Sequence, residues 1–203
     1  MTKVKICGLR TLEDVAAANV CLPDYIGFVF AEKSKRKIDR ATAAQLKGKL
    51  SEEIQAVGVF VNQSIQDIVD LCNQNVIDVI QLHGEEDERF IQQLKERLPN
   101  PIIKAIPVGK TIFKQSEKAD FLLFDTATVE RGGSGKTFDW KLLSNEQEKP
   151  YFLAGGLTTE NVTQAVSTLH PYCVDVSSGV ETAGKKDQEK MKRFVKLVQE
   201  ATK

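Results

Sequence analysis

Two residues with acid–base chemistry each follow a short apolar run in this chain. Cys7 comes after Val4-Lys5-Ile6, and Asp125 comes after Phe121-Leu122-Leu123-Phe124. A thiolate can act as a base or a nucleophile when nearby positive charge lowers its reference pKa of about 8.5. A carboxyl group that ends an apolar strand would sit on the floor of a pocket, where limited solvation favours proton donation. These residue types allow an acid–base pair, although a lone cysteine is often a buried spacer and an aspartate after a strand is often a helix cap.

Two glycine-containing segments near the end of the chain suggest a site for phosphate. Gly155-Gly156 follows one apolar run, and Ser178-Gly179 follows the next. Backbone N–H groups at a helix N-terminus bind phosphate well, and glycine lets the backbone approach a ligand closely. Tight turns are the ordinary alternative for either segment alone. Two neighbouring segments of this kind favour phosphate binding.

A third glycine-rich segment consists of Gly132, Gly133, Ser134 and Gly135, and it is preceded by Glu130-Arg131. Closure of a flexible loop over a site would exclude water from it. We expect a lid here, with a plain surface loop as the alternative.

Arg36 lies in a basic run, Lys33-Ser34-Lys35-Arg36-Lys37, of a kind that is usually solvated surface. At the rim of a phosphate pocket, however, a guanidinium could clamp a substrate carboxylate with its planar fork. Arg36 is therefore a candidate for substrate binding.

The histidines and cysteines are spaced in a way that argues against a metal site. The chain has only two histidines, His83 and His170, with no partner at a metal-ligand spacing. Its four cysteines, at positions 7, 21, 72 and 173, include no C-x-x-C pair, so a zinc site or a redox dithiol is not expected. We predict free thiols and no bound metal.

Eight short apolar runs predict β-strands that alternate with helical patterns. The runs are nearly continuous, as expected of parallel strands that are covered on both sides. Helical spacing follows several of them, for example at Ile65, Ile68, Val69 and Cys72, whereas Gly109–Lys118 carries the weakest helical pattern. The predicted strands are Val4–Cys7, Tyr25–Phe30, Gln55–Val61, Val79–His83, Ile102–Ile106, Phe121–Asp125, Tyr151–Ala154 and Val174–Ser177.

Eight strand–helix units in 203 residues predict an α/β protein with a closed (β/α)8 TIM barrel, a single domain over residues 1–203. In that fold the chemistry lies at the carboxyl ends of the strands and in the loops that follow them. Polar residues and glycines indeed end or follow most of the predicted strands, among them Gln81 and His83 at the end of the fourth. We therefore expect one active end of the barrel, with Asp125 across the ring from Cys7.

The composition fits a globular protein and gives no sign of a nucleic-acid or membrane partner. Basic and acidic residues number 28 each, whereas surfaces for such partners usually leave a basic excess. No apolar run approaches the roughly 18–20 residues that cross a bilayer, and the N-terminus lacks the apolar stretch of a signal peptide. We predict a cytoplasmic protein that acts on a small phosphorylated molecule. A monomer is expected, with a homodimer as the alternative.

Several motifs together resemble the N-(5′-phosphoribosyl)anthranilate isomerase family along essentially the whole chain. None is specific alone, but their order and spacing are. The motifs are Lys5-Ile6-Cys7-Gly8, Gly27-Phe28-Val29-Phe30, Val57-Gly58-Val59-Phe60-Val61-Asn62, Gln81-Leu82-His83-Gly84, Gly132-Gly133-Ser134-Gly135-x-x-Phe138-Asp139-Trp140, Leu153-Ala154-Gly155-Gly156-Leu157 and Val174-Asp175-Val176-Ser177-Ser178-Gly179-Val180-Glu181.

The resemblance implies an Amadori rearrangement that yields 1-(2-carboxyphenylamino)-1-deoxyribulose 5-phosphate in tryptophan biosynthesis. Asp125 matches the general acid, which protonates the ribose ring oxygen and opens the ring to an imine. Cys7 matches the general base, which removes the proton from the adjacent carbon. Because the substrate nitrogen serves as the electron sink, one acid and one base suffice and no cofactor is implied.

The resemblance also assigns residues that bind the substrate. Arg36 matches the arginine at the anthranilate carboxylate, and Gly156, Ser178 and Gly179 match the phosphate loops. Gln81, His83 and Asp175 match positions near the site.

One departure from the family concerns the loop that carries Arg36. The family often has Ser-Pro-Arg where this chain has Ser34-Lys35-Arg36, and the loss of proline would loosen the loop.

Two rival functions fit the sequence less well. A metal-dependent epimerase would need paired histidine and carboxylate ligands, and this chain has only two histidines. A non-catalytic phosphate-ligand binding barrel would keep the glycine loops but could lose Cys7 or Asp125, and both are present.

Overall fold

The computed structural model describes residues 1–109, 116–126, 139–143 and 149–202. Eight parallel strands close into a barrel in chain order, since β1 is hydrogen-bonded to both β2 and β8. The predicted (β/α)8 barrel is confirmed, and each predicted strand overlaps an observed one with ends that differ by at most two residues. The strands are β1 (Lys3–Cys7), β2 (Tyr25–Val29), β3 (Gln55–Phe60), β4 (Val79–Leu82), β5 (Ile102–Val108), β6 (Phe121–Thr126), β7 (Tyr151–Leu153) and β8 (Cys173–Val176).

Six α-helices lie in these described ranges. They are α1 (Leu12–Cys21), α2 (Arg40–Lys47), α3 (Ile65–Asn73), α4 (Glu88–Lys95), α5 (Val162–Leu169) and α6 (Gln188–Ala201). Single 3-10 turns occupy Trp140–Leu142 and Ser178–Val180, and a short hairpin pairs β9 (Glu181–Thr182) with β10 (Lys185–Lys186). The weak helix predicted over Gly109–Lys118 falls mostly on residues 110–115, outside the described residues. No helix of the described ranges has the length and apolar character needed to cross a membrane.

Local side-chain caps fix where the first helix begins. Thr11 Oγ1 accepts a hydrogen bond from the Asp14 N–H, and the Thr11 N–H donates to the Asp14 carboxylate, both at 3.2 Å. This reciprocal pair satisfies two N–H groups that a helix start otherwise leaves unpaired. An aspartate thus completes the capping box in the place of the usual glutamate.

Side chains of the strands alternate between two cores. One set, which includes Ile6, Phe28 and Leu122, packs with helix residues such as Val15 and Phe194 outside the barrel. The other set fills the barrel interior toward the amino ends of the strands: Tyr25, Val57, Val79, Ile103, Ala105, Leu123, Phe152, Ala154 and Cys173. Burial on both sides explains why the strands read as continuous apolar runs.

The same alternation determines which side chains point into the barrel near its carboxyl end. Cys7 lies two residues after Lys5, and Asp125 lies two residues after the interior residue Leu123. Side chains two residues apart on a strand share a face. Cys7 therefore points into the barrel with Lys5, and Asp125 points into it with Leu123. Strand β6 is three places from β1 around the ring, with β7 and β8 between them. Cys7 and Asp125 are therefore not diametrically opposed, and the intervening strands are those that lead into the predicted phosphate loops.

Candidate active site

Cys7 ends β1 in a position that only a glycine neighbour allows. Its Cα is paired in register with Gly27 of β2, and a Cβ added to Gly27 would lie 2.7 Å from Cys7 Sγ. The sulfur thus occupies the space that a side chain at position 27 would fill.

A buried lysine stands beside Cys7 on the same face of β1. Lys5 is 0% exposed, and its Nζ donates a 2.9 Å hydrogen bond to Asp175 Oδ1, the Cα partners being in register between β1 and β8. Burial alone would lower the pKa of Lys5, but the charge of Asp175 and, once the thiol ionises, that of Cys7 raise it above its ordinary value. Lys5 is therefore a cation held within the barrel, next to the candidate base. Reasoning from sequence missed it, although a lysine in an apolar strand two residues before Cys7 was a usable signal.

The protonation of Cys7 reflects burial more than charge. Burial raises the pKa of the Cys7 thiol; the charge of Lys5 opposes this rise, Asp175 adds to it, and Lys186 again opposes it. The positive charges expected near an active thiolate are present, yet burial outweighs them. At neutral pH the ligand-free protein therefore holds Cys7 as a thiol.

Asp125 is the end of a three-residue hydrogen-bonded chain. Its Oδ2 lies 3.3 Å from His83 Nε2, and its Oδ1 accepts a 2.8 Å hydrogen bond from the Thr126 N–H. Gln81 Nε2 lies 2.9 Å from His83 Nδ1. If the Gln81 amide donates to Nδ1, the proton of a neutral His83 is on Nε2 and points to Asp125. Gln81 is 1% exposed, and among the described residues none forms a hydrogen bond with its Oε1, so the side-chain hydrogen bond of Gln81 seen in these residues is the one to His83.

Arg36 is paired with a glutamate that sequence reasoning did not single out. Arg36 Nε and Nη2 donate to the two carboxylate oxygens of Glu181, each at 2.7 Å. The Arg36 N–H also donates to Ser34 Oγ at 3.1 Å. The absence of proline was expected to loosen this loop, but these contacts hold Arg36 in place.

The two predicted phosphate loops, after β7 and β8, lie against each other. A Cβ added to Gly179 would lie 1.9 Å from the Leu157 carbonyl oxygen, so the loops approach too closely for any side chain there. Gly155 has a φ of +84°, and a Cβ on it would lie 3.1 Å from Asp125 Oδ1. The first loop therefore also adjoins the candidate acid.

Helix N-termini contribute less to these loops than expected. Gly155 and Gly156 precede α5 by several residues, and Ser178 and Gly179 form part of a single 3-10 turn. These glycines and Ser178 thus lie in two irregular loops rather than in the first turn of a long helix.

Comparison with known proteins gives one consistent result. Residues 4–197 match the family model described as N-(5′-phosphoribosyl)anthranilate (PRA) isomerase. The N-(5′-phosphoribosyl)anthranilate isomerase of Endomicrobium trichonymphae is 54% identical over 199 residues, which cover 98% of each chain. The chain belongs to the N-(5′-phosphoribosyl)anthranilate isomerase family. It is an isomerase of tryptophan biosynthesis.

Solved structures of this isomerase family share the barrel. One is a phosphoribosylanthranilate isomerase in complex with reduced 1-(o-carboxyphenylamino)-1-deoxyribulose 5-phosphate, with 34% identity, a TM-score of 0.83, and coverage of 98% of this chain and 100% of the other. Another shows monomers generated from the dimeric isomerase of Thermotoga maritima, with 35% identity, a TM-score of 0.82 and the same coverage. A phosphorylated ligand and more than one oligomeric state therefore occur among the relatives.

Two features predicted from the sequence remain, the lid and the lack of a bound metal. The predicted lid, Gly132–Gly135, lies outside the described residues. Among the residues that are described, no three His, Cys, Asp or Glu side chains are grouped so as to hold a metal ion.

Proposed function

We propose that Asp125 is the general acid and Cys7 the general base of this isomerisation. The observation that carries the proposal is their common location. Both side chains point into the carboxyl end of one barrel, and the loops after the two strands between them suit a phosphate. A phosphoribosyl group anchored in those loops would lie between the acid and the base.

In the first step, Asp125 gives its proton to the ribose ring oxygen. The bond between that oxygen and C1′ breaks, and the lone pair of the anthranilate nitrogen forms the iminium bond to C1′. His83 orients Asp125 through the 3.3 Å contact, and Gln81 orients His83 in turn. The closeness of Gly155 to Asp125 Oδ1 places the acid next to the proposed phosphate loop.

In the second step, the Cys7 thiolate removes the proton from C2′. The C–H electrons form a C1′–C2′ double bond, and the iminium nitrogen takes up the displaced pair to give an enolamine. Tautomerisation then moves a proton from the 2′-hydroxyl to C1′ and leaves the ketone. Since Cys7 rests as a thiol, it must first give its proton to solvent water, and the positive charge of the iminium favours that loss. The proton from C2′ then restores the thiol, and Asp125 regains a proton from solvent.

The substrate's two anionic groups have separate binding residues in this proposal. Backbone N–H groups of Gly155, Gly156, Ser178 and Gly179 bind the phosphate, and Arg36 binds the anthranilate carboxylate. A guanidinium suits a carboxylate because it offers paired donors in one plane. Asp175 acts on Cys7 through Lys5.

The direct test is the loss of anthranilate fluorescence when the purified protein is mixed with fresh phosphoribosylanthranilate. Turnover should continue unchanged after a chelator is added, since the proposed chemistry uses no metal or cofactor. Cys7→Ser should bind a product analogue yet lose turnover, because a hydroxyl is a far weaker acid than a thiol. Near-normal kcat in Cys7→Ser would show that Cys7 is not the base.

We also propose that the protein is a cytoplasmic monomer with one domain, without nucleic-acid or membrane partners. Sedimentation velocity at assay concentrations measures the oligomeric state directly. A dimeric species at those concentrations would contradict the monomer.

A further inference from the structure

Glu181 is the centre of a buried charge cluster at the rim of the barrel. It accepts two hydrogen bonds from Arg36 and a third, 2.8 Å long, from Lys186 Nζ. The side chains of Glu181 and Lys186 are only 8% and 1% exposed. Burial alone would raise the pKa of Glu181, but the hydrogen bonds from Arg36 and Lys186 lower it to about 2. Glu181 is therefore ionised throughout the pH range in which the enzyme works.

The contact occupies one edge of the Arg36 guanidinium and leaves the other. Glu181 binds side-on through Nε and Nη2, which uses two of the group's five N–H donors. One N–H on each terminal nitrogen forms the remaining Nη1–Nη2 edge, and that edge can hold a second carboxylate with two parallel hydrogen bonds. The Arg36 side chain keeps 20% of its surface exposed, so its neighbours do not bury it completely.

Arg36 is positioned from a second direction by the backbone. A Cβ added to Gly8 would lie 2.4 Å from Arg36 Cδ, so the aliphatic part of the arginine lies directly on β1's end. With Gly8 on one side and the carboxylate of Glu181 on the other, the guanidinium plane has little freedom to turn.

Glu181 also joins two loops that the proposed substrate would touch. It follows Gly179 by two residues, and Lys186 ties it to the Ser177 carbonyl oxygen at 2.9 Å. Ser177 Oγ in turn donates to the Cys7 carbonyl oxygen at 3.0 Å. The loop that carries Arg36 is thus fastened to the loop after β8. That link sets the separation between the proposed carboxylate and phosphate sites.

We propose that Glu181 is a positioning residue for substrate recognition, holding Arg36 so that its Nη1–Nη2 edge receives the substrate carboxylate at a set distance from the phosphate. This inference rests on the assignment of Arg36 to the carboxylate in the proposed function. It gives the loop the rigidity that a proline before Arg36 would otherwise supply.

Glu181→Gln tests the proposal because it removes the charge and keeps the shape. KM for phosphoribosylanthranilate should rise about tenfold, the loss expected for weakened charge-assisted hydrogen bonds, with a much smaller change in kcat. Glu32→Gln is the matched control, since Glu32 pairs with Lys37 in the same loop but is largely exposed, and its KM should not change.

A substrate without the carboxylate separates positioning from general support of the fold. With N-(5-phosphoribosyl)aniline, Glu181→Gln should have the same kcat/KM as the parent protein. Arg36→Lys should lower the preference for the carboxylated substrate, and adding Glu181→Gln to it should lower that preference no further. If Glu181→Gln melts below the assay temperature, Glu181→Asp, which keeps the charge but shortens the reach, is compared on the same two substrates.

The possible failures of the two proposals differ. Equal losses on both substrates in the Glu181 variant would mean that Glu181 only supports the fold, and the positioning role would be wrong. If Arg36→Lys leaves the preference for the carboxylated substrate unchanged, the assignment of Arg36 to the carboxylate is wrong. The positioning role of Glu181 is then wrong as well, because it rests on that assignment.

Discussion

Inside the barrel, aromatic rings pack on one another toward the amino-terminal end, whereas buried charged groups pair toward the carboxyl end. Phe152 lies 5.6 Å from the ring of Tyr25, 5.7 Å from Phe121 and 5.7 Å from Tyr172. At the other end the close contacts join opposite charges, as in Lys5 with Asp175 and Arg36 with Glu181. The same eight strands carry both kinds of contact.

Strand β1 passes from one kind of contact to the other within five residues. Lys3 Nζ lies 5.4 Å from the Tyr25 ring and 5.3 Å from the Tyr172 ring. Lys5 is buried against a carboxylate, and the Cys7 carbonyl oxygen accepts a hydrogen bond from Ser177 in the loop after β8. Buried ion pairs cost desolvation energy that apolar packing does not. In this barrel, apolar packing that stabilises the fold lies at one end. The buried ion pairs, with their desolvation cost, lie at the end that carries the proposed chemistry.

Asp125→Asn should have the largest effect on rate and none on the aromatic end. Loss of a general acid should lower kcat by roughly 10²–10⁴-fold, because the amide cannot supply a proton. Single-turnover fluorescence measures the step, and a product analogue should still bind. Asp70→Asn, at an exposed ion pair with Arg40, is the control and should keep full activity. Near-normal kcat in Asp125→Asn would show that Asp125 is not the general acid.

Phe152→Ala should show the opposite pattern. Loss of a buried ring that touches three others should lower the free energy of unfolding by about 3–5 kcal/mol. Urea titration measures this loss, and kcat well below the melting temperature should stay close to the parent value. A large fall in kcat with folding intact would show that the two ends are coupled.

Alkylation of Cys7 should reveal its raised pKa. Only the thiolate reacts with iodoacetamide, so the rate should still rise about tenfold per pH unit above pH 8.5, the ordinary thiol value. Mass spectrometry resolves Cys7 from the other three cysteines. Lys5→Met should shift the curve to higher pH, because the charge of Lys5 opposes the rise in the pKa of Cys7. A rate that levels off below pH 8 would mean that charge outweighs burial.

Tyr25→Phe should have the smallest effect. It removes a 3.1 Å hydrogen bond between the Tyr25 and Tyr172 hydroxyls but keeps the ring packing. The free energy of unfolding should fall by about 1 kcal/mol, with kcat unchanged. A measurable change in kcat would again link the two ends.

Much of the barrel and of the candidate site follows from local pattern. Continuous apolar runs located all eight strands, and the residues at their carboxyl ends included Cys7 and Asp125. What local pattern could not supply was the pairing of charges. Lys5 and Asp175 are 170 residues apart in the chain, and Arg36 and Glu181 are 145 apart. Nothing in the local sequence pairs residues at such separations, and only closure of the ring brings them together.

By itself, the sequence determined which side chains stand at the strand ends, since apolar periodicity and glycine spacing depend only on neighbours along the chain. The tertiary structure decided what surrounds each of them. Closing the ring placed β7 and β8 between Cys7 and Asp125, buried Lys5 beside the thiol, and set Glu181 against Arg36. Burial and charge pairing depend on residues that are far apart in the chain. Only the folded barrel therefore determines the protonation of Cys7 and the orientation of Arg36.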